Sequence, residues 1–230
     1  MAYHLEELYQ LLKSPPAEYR TAPLWVWNDW MTNEQIDKAL DELKSHGFGG
    51  AVAHPRPGMR ISYMTEQYFA QWRYALEGAK KRGLQLIIYD ENSYPSGFGG
   101  GLVSAELPDC LSQSVAYKVF TKKDLTDKQT VGFLGNSGLV RIFLCDQPVG
   151  NTLRIKKDIT LLDTSEWGTL GEWFLAFAIL PARTERWMAG FSNVNLLRPE
   201  VTEKFIELIY EPYYKHFGEE FGNTIPAIFT

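Results

Sequence analysis

Residues 84–101 read LQLIIYDENSYPSGFGGG. Residues 84–89 are apolar or aromatic apart from Gln85, which predicts a short buried strand. Two adjacent acidic residues, Asp90 and Glu91, follow the strand directly, and a glycine-rich stretch follows them. The glycines let the backbone approach a ligand closely, and no GxxxxGK[ST] phosphate-loop motif accompanies them. This stretch therefore predicts a strand that opens onto a functional loop.

Two further strand-and-helix units precede this strand. Residues 23–29, PLWVWND, form an apolar and aromatic run that ends in polar residues, and residues 50–54, GAVAH, form a second apolar run. A capping box that starts at Thr32 predicts a helix between the two runs. Thr65 can begin a second helix, which ends at Gly83. The order β-α-β-α-β with short connections predicts parallel strands and an α/β fold.

The pattern changes after residue 102. Short β-like runs at 114–120, 139–145 and 173–180 are separated by polar and turn-forming residues. No helical periodicity lies between these runs. We therefore predict an inserted antiparallel β-rich lobe at 103–188.

The last segment returns to the helical pattern. Pro199 is a good first-turn residue, Pro212 is expected to kink or break the helix, and residues 225–230 form a final apolar run. Four β/α units are half of an eightfold barrel. We therefore predict the first half of a (β/α)8 barrel, which a missing C-terminal half or a partner chain would complete. The predicted boundaries are a helical lead-in at 1–22, three β/α units at 23–102, the lobe at 103–188, and the return helix and fourth strand at 189–230.

Composition and charge exclude several classes of partner. The net charge is −5 and the chain has no long basic run, so nucleic acids and anionic membranes are disfavoured. No apolar run approaches the roughly 18 to 20 residues that a membrane span needs. The leucines near the N-terminus have a helical spacing interrupted by charges, unlike a signal peptide. We expect a soluble, cytoplasmic protein.

The candidate site lies where the strands end. In a β/α barrel the carboxyl ends of the strands carry the active site, so Glu91 is the predicted catalytic residue. Burial among aromatic side chains and the neighbouring Asp90 would raise the pKa of Glu91, as a proton donor requires. The predicted substrate-binding residues are Asp90, Asn28, Asp29, His54, Trp27 and Tyr94.

Each of these residues also has a purely structural interpretation. Asp90 can cap the turn after the strand, and Asn28 with Asp29 can be a simple turn pair. His54 can be a satisfied structural histidine, and Trp27 can be part of the core. The sequence leaves both interpretations open.

The run YDENSYPSGFGGG at 89–101 resembles the strand-three motif of the bacterial α-L-rhamnosidase-like glycoside hydrolases, family 106 and its uncharacterised relatives. The run PLWVWN at 23–28 is similar to the opening strand of that group, and GFGG at 47–50 is similar to its helix-to-strand turn. Segments between 194 and 218 resemble the approach to its fourth strand. The resemblance spans most of 23–101 and 190–230 and leaves the lobe unmatched.

The resemblance implies a glycoside hydrolase that acts on plant or bacterial polysaccharide side chains by two-carboxylate acid/base chemistry. It also implies an inverting mechanism, a carbohydrate substrate and a calcium ion near the sugar, although no local loop has a recognisable calcium-ligand spacing. In such relatives an Asp-Glu-Pro sequence follows the fourth strand. This sequence ends at Thr230, so those carboxylates are not in it.

Three alternatives to an active glycosidase remain. The first is a truncated, catalytically inactive barrel fragment, and the second is a carbohydrate-binding protein. Carbohydrate-binding modules are usually β-sandwiches, which disagrees with the β-α-β-α-β order. The third is a metal-dependent hydrolase of another class, which is disfavoured because the histidines are scattered along the chain. These histidines are His4, His46, His54 and His216.

Overall fold

The computed structural model describes residues 4–136, 138–188 and 190–230. Within these ranges the chain folds into two compact units. No helix of the described residues has the length and apolar character that crossing a membrane requires.

The first unit contains the described residues up to Leu111 together with Arg183–Thr230, and the second unit contains Ser112–Ala182. Residues 103–111 and 183–188, which we predicted to belong to the lobe, lie in the first unit. The segment that returns to the first unit therefore begins at Arg183, whereas the sequence pattern placed residues 183–188 in the lobe.

Strands and helices alternate up to the third strand of the first unit, and its four strands form one parallel sheet in chain order. The prediction of an α/β fold with parallel strands is confirmed. The final strand is shorter than the apolar run at 225–230. The elements are α1 (Leu5–Lys13), β1 (Leu24–Trp27), α2 (Asn33–Ser45), β2 (Gly50–Pro55), α3 (Glu66–Arg82), β3 (Gln85–Tyr89), α4 (Leu102–Glu106), α7 (Pro199–Phe205), α8 (Glu211–Phe217) and β8 (Ile228–Phe229).

The ends of the two long helices follow from capping residues. Thr32 Oγ1 accepts a hydrogen bond from the Gln35 backbone N–H at 3.3 Å, and the Gln35 side chain accepts from the Thr32 N–H at 2.8 Å. Thr65 Oγ1 accepts from the Tyr68 N–H at 3.3 Å and begins α3. Gly83 ends α3 in the left-handed region at φ 65°. These contacts satisfy backbone groups that a helix end leaves unpaired, as the sequence predicted.

The return helix has three segments. A π-helical segment, Ile206–Tyr210, joins α7 to α8. Pro212 lies in the first turn of α8, where its missing N–H costs no hydrogen bond. The regular α-helical hydrogen bonding is thus interrupted in the segment just before Pro212.

The two faces of the parallel sheet differ in burial. One face carries Trp27, Ala53, Leu86 and Ile88, which belong to the buried core formed with α2, α3, α7 and α8. The register pairs Leu24 with Val52, and Val26 with His54, on the opposite face. On that face Leu24 is 52% exposed, Val26 is 43% exposed and Phe229 is 47% exposed. The exposed positions on this face thus lie on the outer strands β1 and β8, whereas residues of the inner strands β2 and β3 there are buried or half-buried.

A buried tyrosine pair joins α3 to α8. The hydroxyl groups of Tyr68 and Tyr213 lie 2.6 Å apart, and both side chains are buried. Burial raises the pKa of both phenols, so both stay neutral and share one hydrogen bond.

Replacing Tyr68 by Phe is expected to lower the free energy of unfolding by about 1–3 kcal/mol, because the Tyr213 hydroxyl is then buried without its partner. Urea unfolding measures the change. The double variant Tyr68→Phe/Tyr213→Phe should recover part of the loss, since no unpaired hydroxyl of the pair remains. A double variant less stable than the sum of the two single variants would contradict this account.

The second unit is an antiparallel sheet with two short helices. The strand order is β4-β7-β5-β6, and the predicted β-like runs form β4, β5 and β7. Phe120, Ile142, Phe174 and Trp167 are part of its own buried core. The elements are β4 (Gln113–Thr121), α5 (Lys128–Leu134), β5 (Leu139–Cys145), β6 (Ile155–Asp158), α6 (Thr164–Leu170) and β7 (Trp173–Pro181).

The two helices of this unit were not predicted. Both span 7 residues. This length is about two turns, too short for an apolar periodicity to stand out. Their starts do carry a sequence signal. Asp127 accepts a hydrogen bond from the Thr130 N–H at 2.9 Å, and Asp163 accepts one from the Ser165 N–H at 2.9 Å.

The chain enters and leaves the second unit at neighbouring points. The Ala182 N–H donates to the Ser112 carbonyl oxygen at 2.6 Å. In the first unit, the Asn195 N–H donates to the Cys110 carbonyl oxygen at 2.8 Å. Leu111 forms an isolated antiparallel bridge with Val194 next to that bond. The segments that flank the second unit are thus paired with each other by backbone hydrogen bonds.

Candidate functional site

The carboxyl ends of β1, β2 and β3 lie along one edge of the parallel sheet. Trp27 is the register partner of Pro55, and Ala53 is the register partner of Ile88. The residues that follow these strands therefore meet at the same edge, where ligands bind in parallel α/β sheets. We call this region the carboxyl edge. The residues that reach it directly from the strands are Asn28, Asp29, Arg56, Asp90 and Glu91.

Glu91 is fully buried, and the loop that follows it holds its carboxylate. Oε1 accepts a hydrogen bond from the Asn92 N–H at 2.8 Å, and Oε2 accepts one from the Gly99 N–H at 2.7 Å. The Gly100 N–H also donates to Oε1. Gly99 and Gly100 have φ values of 59° and 63°, which glycine adopts without strain. The glycines thus turn successive backbone amides towards one carboxylate.

Burial raises the pKa of Glu91 to about 7. The three backbone amides lower this pKa, because they stabilise the ionised carboxylate, and the nearby charge of Asp90 raises it. Removal from water is the largest of these effects. The result is a carboxyl group that exists in both protonation states near neutral pH.

Asp90 is also fully buried, and two hydroxyl groups bind its carboxylate. Ser96 donates to Oδ1 at 2.7 Å, and Tyr210 donates to Oδ2 at 2.7 Å. Burial, together with this hydrogen bond to Asp90, raises the pKa of Tyr210 to about 12, so the phenol keeps its proton. Tyr210 ends the π-helical segment, and such segments often occur at functional sites.

His54 lies on the sheet face opposite the core, with only 1% of its surface exposed. Its ring packs on the ring of Tyr89 with centroids 3.8 Å apart. Burial and the nearby charge of Arg56 lower the pKa of His54 to about 4, so the ring is neutral at pH 7. Neither ring nitrogen has a hydrogen-bond partner among the described residues.

The other predicted site residues have different surroundings. Trp27 is 1% exposed and points to the helical face, where its ring packs edge-on against Trp25 and Tyr68. Asn28 and Asp29 are exposed, and Asp29 accepts a hydrogen bond from the Gln35 side chain at 3.3 Å.

Tyr94 is 59% exposed and precedes Pro95 through a cis peptide bond. The structure therefore packs His54 on the ring of Tyr89, places Asp90 and Glu91 directly after that strand, and leaves the Trp27 ring in the core. Whether any of these residues contacts a substrate stays a prediction.

Sequence reasoning missed four residues at this edge. Arg56 follows β2, Trp187 arrives from the segment after the second unit, and Tyr210 arrives from the return helix. Tyr63 is half-buried, and its hydroxyl oxygen is buried without a partner among the described residues. Arg56 could have been found from its place directly after a strand. Trp187 and Tyr210 lie far from β3 in sequence, and no local pattern connects them with Asp90.

The calcium ion that the resemblance implies has no evident ligand cage in the described part of the chain. No group of three or more His, Cys, Asp or Glu side chains lies together there. The carboxylate oxygens of Asp90 and Glu91 already accept hydrogen bonds from the chain itself. Calcium takes about six to eight oxygen ligands, so these residues alone do not fit it.

Comparisons with known proteins give little information on function. No model of a known protein family matches the chain, and no curated protein matches it. The chain is similar to a solved rhamnosidase structure from Novosphingobium sp. PP1Y, with 24% sequence identity and a TM-score of 0.39. The match covers 50% of this chain and 11% of that protein.

Proposed function

We propose that the carboxyl edge of the parallel sheet is a carbohydrate site and that the chain belongs to a glycoside hydrolase of the α-L-rhamnosidase type. The observation that carries the proposal is the buried Asp90–Glu91 pair at the carboxyl end of β3, with the pKa of Glu91 raised to about 7. A proton donor in glycoside hydrolysis needs a pKa of this kind.

The proposed mechanism gives Glu91 one half of the acid/base pair. Protonated Glu91 would donate to the leaving glycosidic oxygen, and a second carboxylate would activate water. Donation requires one oxygen of Glu91 to leave the amides of the glycine loop. Protonation favours that release, because a neutral carboxyl group accepts hydrogen bonds more weakly than a carboxylate. Asp90 would position the loop through Ser96 rather than react.

The exposed side chains on the outer strands of the sheet support a barrel-like completion. In a closed (β/α)8 barrel the inner faces of all strands pack against one another. Leu24, Val26 and Phe229 lie on the face that would be inner, together with His54 and Tyr89. We therefore propose that these strands are part of such a barrel, with the remaining strands supplied by further sequence or by a partner chain.

The hydrogen bonds of Glu91 also favour a second candidate function. Both carboxylate oxygens are engaged by loop amides, which is the arrangement of an anchor for the glycine loop. In this alternative the carboxyl edge binds saccharide without hydrolysing it.

A comparison of Glu91→Gln with Glu106→Gln on aryl glycosides, beginning with 4-nitrophenyl α-L-rhamnoside, tests the proposal. Glu106 is an exposed glutamate of the same unit and serves as the matched control. We expect Glu91→Gln to lower kcat/KM by about a thousandfold, within the range for loss of general acid catalysis, and Glu106→Gln to leave it unchanged. Wild-type activity should fall as the pH rises above about 7, since Glu91 then loses its proton.

Other outcomes separate the alternatives. Hydrolysis that survives Glu91→Gln would remove Glu91 from the mechanism. Saccharide binding without hydrolysis, measured by tryptophan fluorescence, would favour the binding protein. If neither binding nor hydrolysis occurs with any saccharide, the carbohydrate proposal fails.

A further inference from the structure

Arg56 is held in a fixed orientation at the carboxyl edge. Its backbone N–H donates to the Trp27 carbonyl oxygen at 3.0 Å, directly after β2. Its guanidinium carbon lies 4.8 Å from the centre of the Trp187 ring. A guanidinium over an aromatic ring is attracted to the π face and still has N–H donors for other acceptors. Arg56 can therefore bind an acceptor while it contacts Trp187.

Among the described residues, no acidic side chain lies within ion-pair distance of the Arg56 guanidinium. Several other arginines of the chain have such a partner. Its Nη1 is buried and has no acceptor in that part of the chain. The nearby carboxylates do not serve it, because Asp90 is bound by Ser96 and Tyr210 and Glu91 by the loop amides. A buried donor of this kind is costly to leave unpaired. The site therefore favours an anionic acceptor from outside the chain.

His54 adds a neutral polar group two residues earlier. One ring nitrogen of a neutral imidazole donates and the other accepts, and both are buried without partners among the described residues. The charge of Arg56 is among the causes that keep this ring neutral. A ligand hydroxyl group can both donate and accept, so it can satisfy either nitrogen.

One exposed aromatic side chain, Trp187, lies against Arg56, and a second, Tyr94, is hydrogen-bonded to Trp187 through its backbone. Trp187 is 54% exposed and Tyr94 is 59% exposed. Trp187 Nε1 donates to the Tyr94 carbonyl oxygen at 3.0 Å, and Ser93 donates to the Trp187 carbonyl oxygen. These bonds tie the return segment to the loop after β3. Aromatic rings of this kind offer an apolar surface beside polar groups, which suits the mixed surface of a sugar ring.

We propose that Arg56, His54, Trp187 and Tyr94 bind a uronic acid residue, with Arg56 on its carboxylate, an aromatic ring on its apolar face and His54 on a hydroxyl group. The inference rests on the proposed carbohydrate function and narrows its ligand from sugars in general to acidic saccharides.

Digalacturonic acid and its dimethyl ester are the probes that test this inference. The two sugars differ in charge and share their ring hydroxyls. Isothermal titration of the full chain should show the acid binding at least tenfold more tightly than the ester, because a carboxylate forms a charge-assisted bidentate pair with arginine. Arg56→Gln should abolish this preference. Arg56→Lys should restore part of it.

Arg60→Gln is the matched control, because Arg60 is an exposed arginine of the same loop. It should leave the preference for the acid unchanged, and melting temperatures should confirm that every variant is folded. Equal binding of acid and ester by the wild type would overturn the uronate inference and leave the carbohydrate proposal standing. A preference that survives in folded Arg56→Gln would also overturn it. If neither sugar binds, the uronate inference fails, whereas the carbohydrate proposal is decided by the rhamnoside assay. Titration with acetate then shows whether Arg56 binds a simple carboxylate.

Discussion

Relative to the wild type, the Glu91→Gln variant is expected to gain about 3 kcal/mol in free energy of unfolding between pH 4.5 and pH 7. The unfolded glutamate ionises near 4.5, whereas the folded one keeps its proton up to about 7. Between these values the folded state binds more protons, so the wild type loses stability as the pH rises. Gln does not ionise, so the Glu91→Gln variant does not lose stability for this reason. Urea unfolding across the pH range measures the difference.

The effect of His54 on the free energy of unfolding has the opposite pH dependence, and it has to be separated from the effect of Glu91. Its pKa is lowered from 6.5 to about 4, so the unfolded state binds the extra proton as the pH falls between these values. His54 therefore adds stability as the pH rises, and its contribution is common to the wild type and Glu91→Gln. A pH-independent difference between the two proteins would mean that Glu91 is not held protonated by burial.

Replacing Gly50 by Ala is expected to destabilise the first unit by about 3 kcal/mol or more, because an added Cβ has no room in the sheet. Gly50 is the register partner of Gln85. The methyl group would lie inside van der Waals contact with the Gln85 carbonyl group, which is backbone and cannot rotate away. Chemical unfolding monitored by tryptophan fluorescence measures the loss.

Gly132→Ala provides the contrasting glycine. It lies in α5, and nothing is within 4 Å of an added Cβ. Alanine has the higher helix propensity, so this change should be neutral or stabilise the second unit by about 1 kcal/mol or less. A Gly50→Ala variant as stable as the wild type would show that β2 and β3 are further apart than the structure has them.

Local sequence patterns were sufficient for the parts of the fold that local contacts determine. Thr32 and Thr65 predicted the starts of α2 and α3, because a cap is formed by residues adjacent in sequence. The position of Asp90 and Glu91 after β3 followed from strand order. The hydrogen bond from Tyr210 to Asp90 could not be predicted in this way, since Tyr210 reaches Asp90 only through the packing of the return helix.

The raised pKa of Glu91 was predicted, but for an incomplete reason. The prediction relied on burial among aromatic side chains and on the charge of Asp90, and burial is the principal cause of the shift. The three loop amides, which lower this pKa, were not predicted. A glycine-rich sequence shows that a loop can approach a ligand, and it does not show which group the loop binds. Here Gly99 and Gly100 bind a side chain of the chain itself.

The paired entry and exit of the second unit has an evolutionary consequence. Ser112 and Ala182 are hydrogen-bonded to each other, so a short turn between Leu111 and Arg183 would span the same gap. A single recombination event can therefore add or delete this unit as a cassette, while β3, the glycine loop and Trp187 keep their own connections. Homologous chains that lack the cassette are therefore expected to keep the same parallel sheet and the same loops at its carboxyl edge.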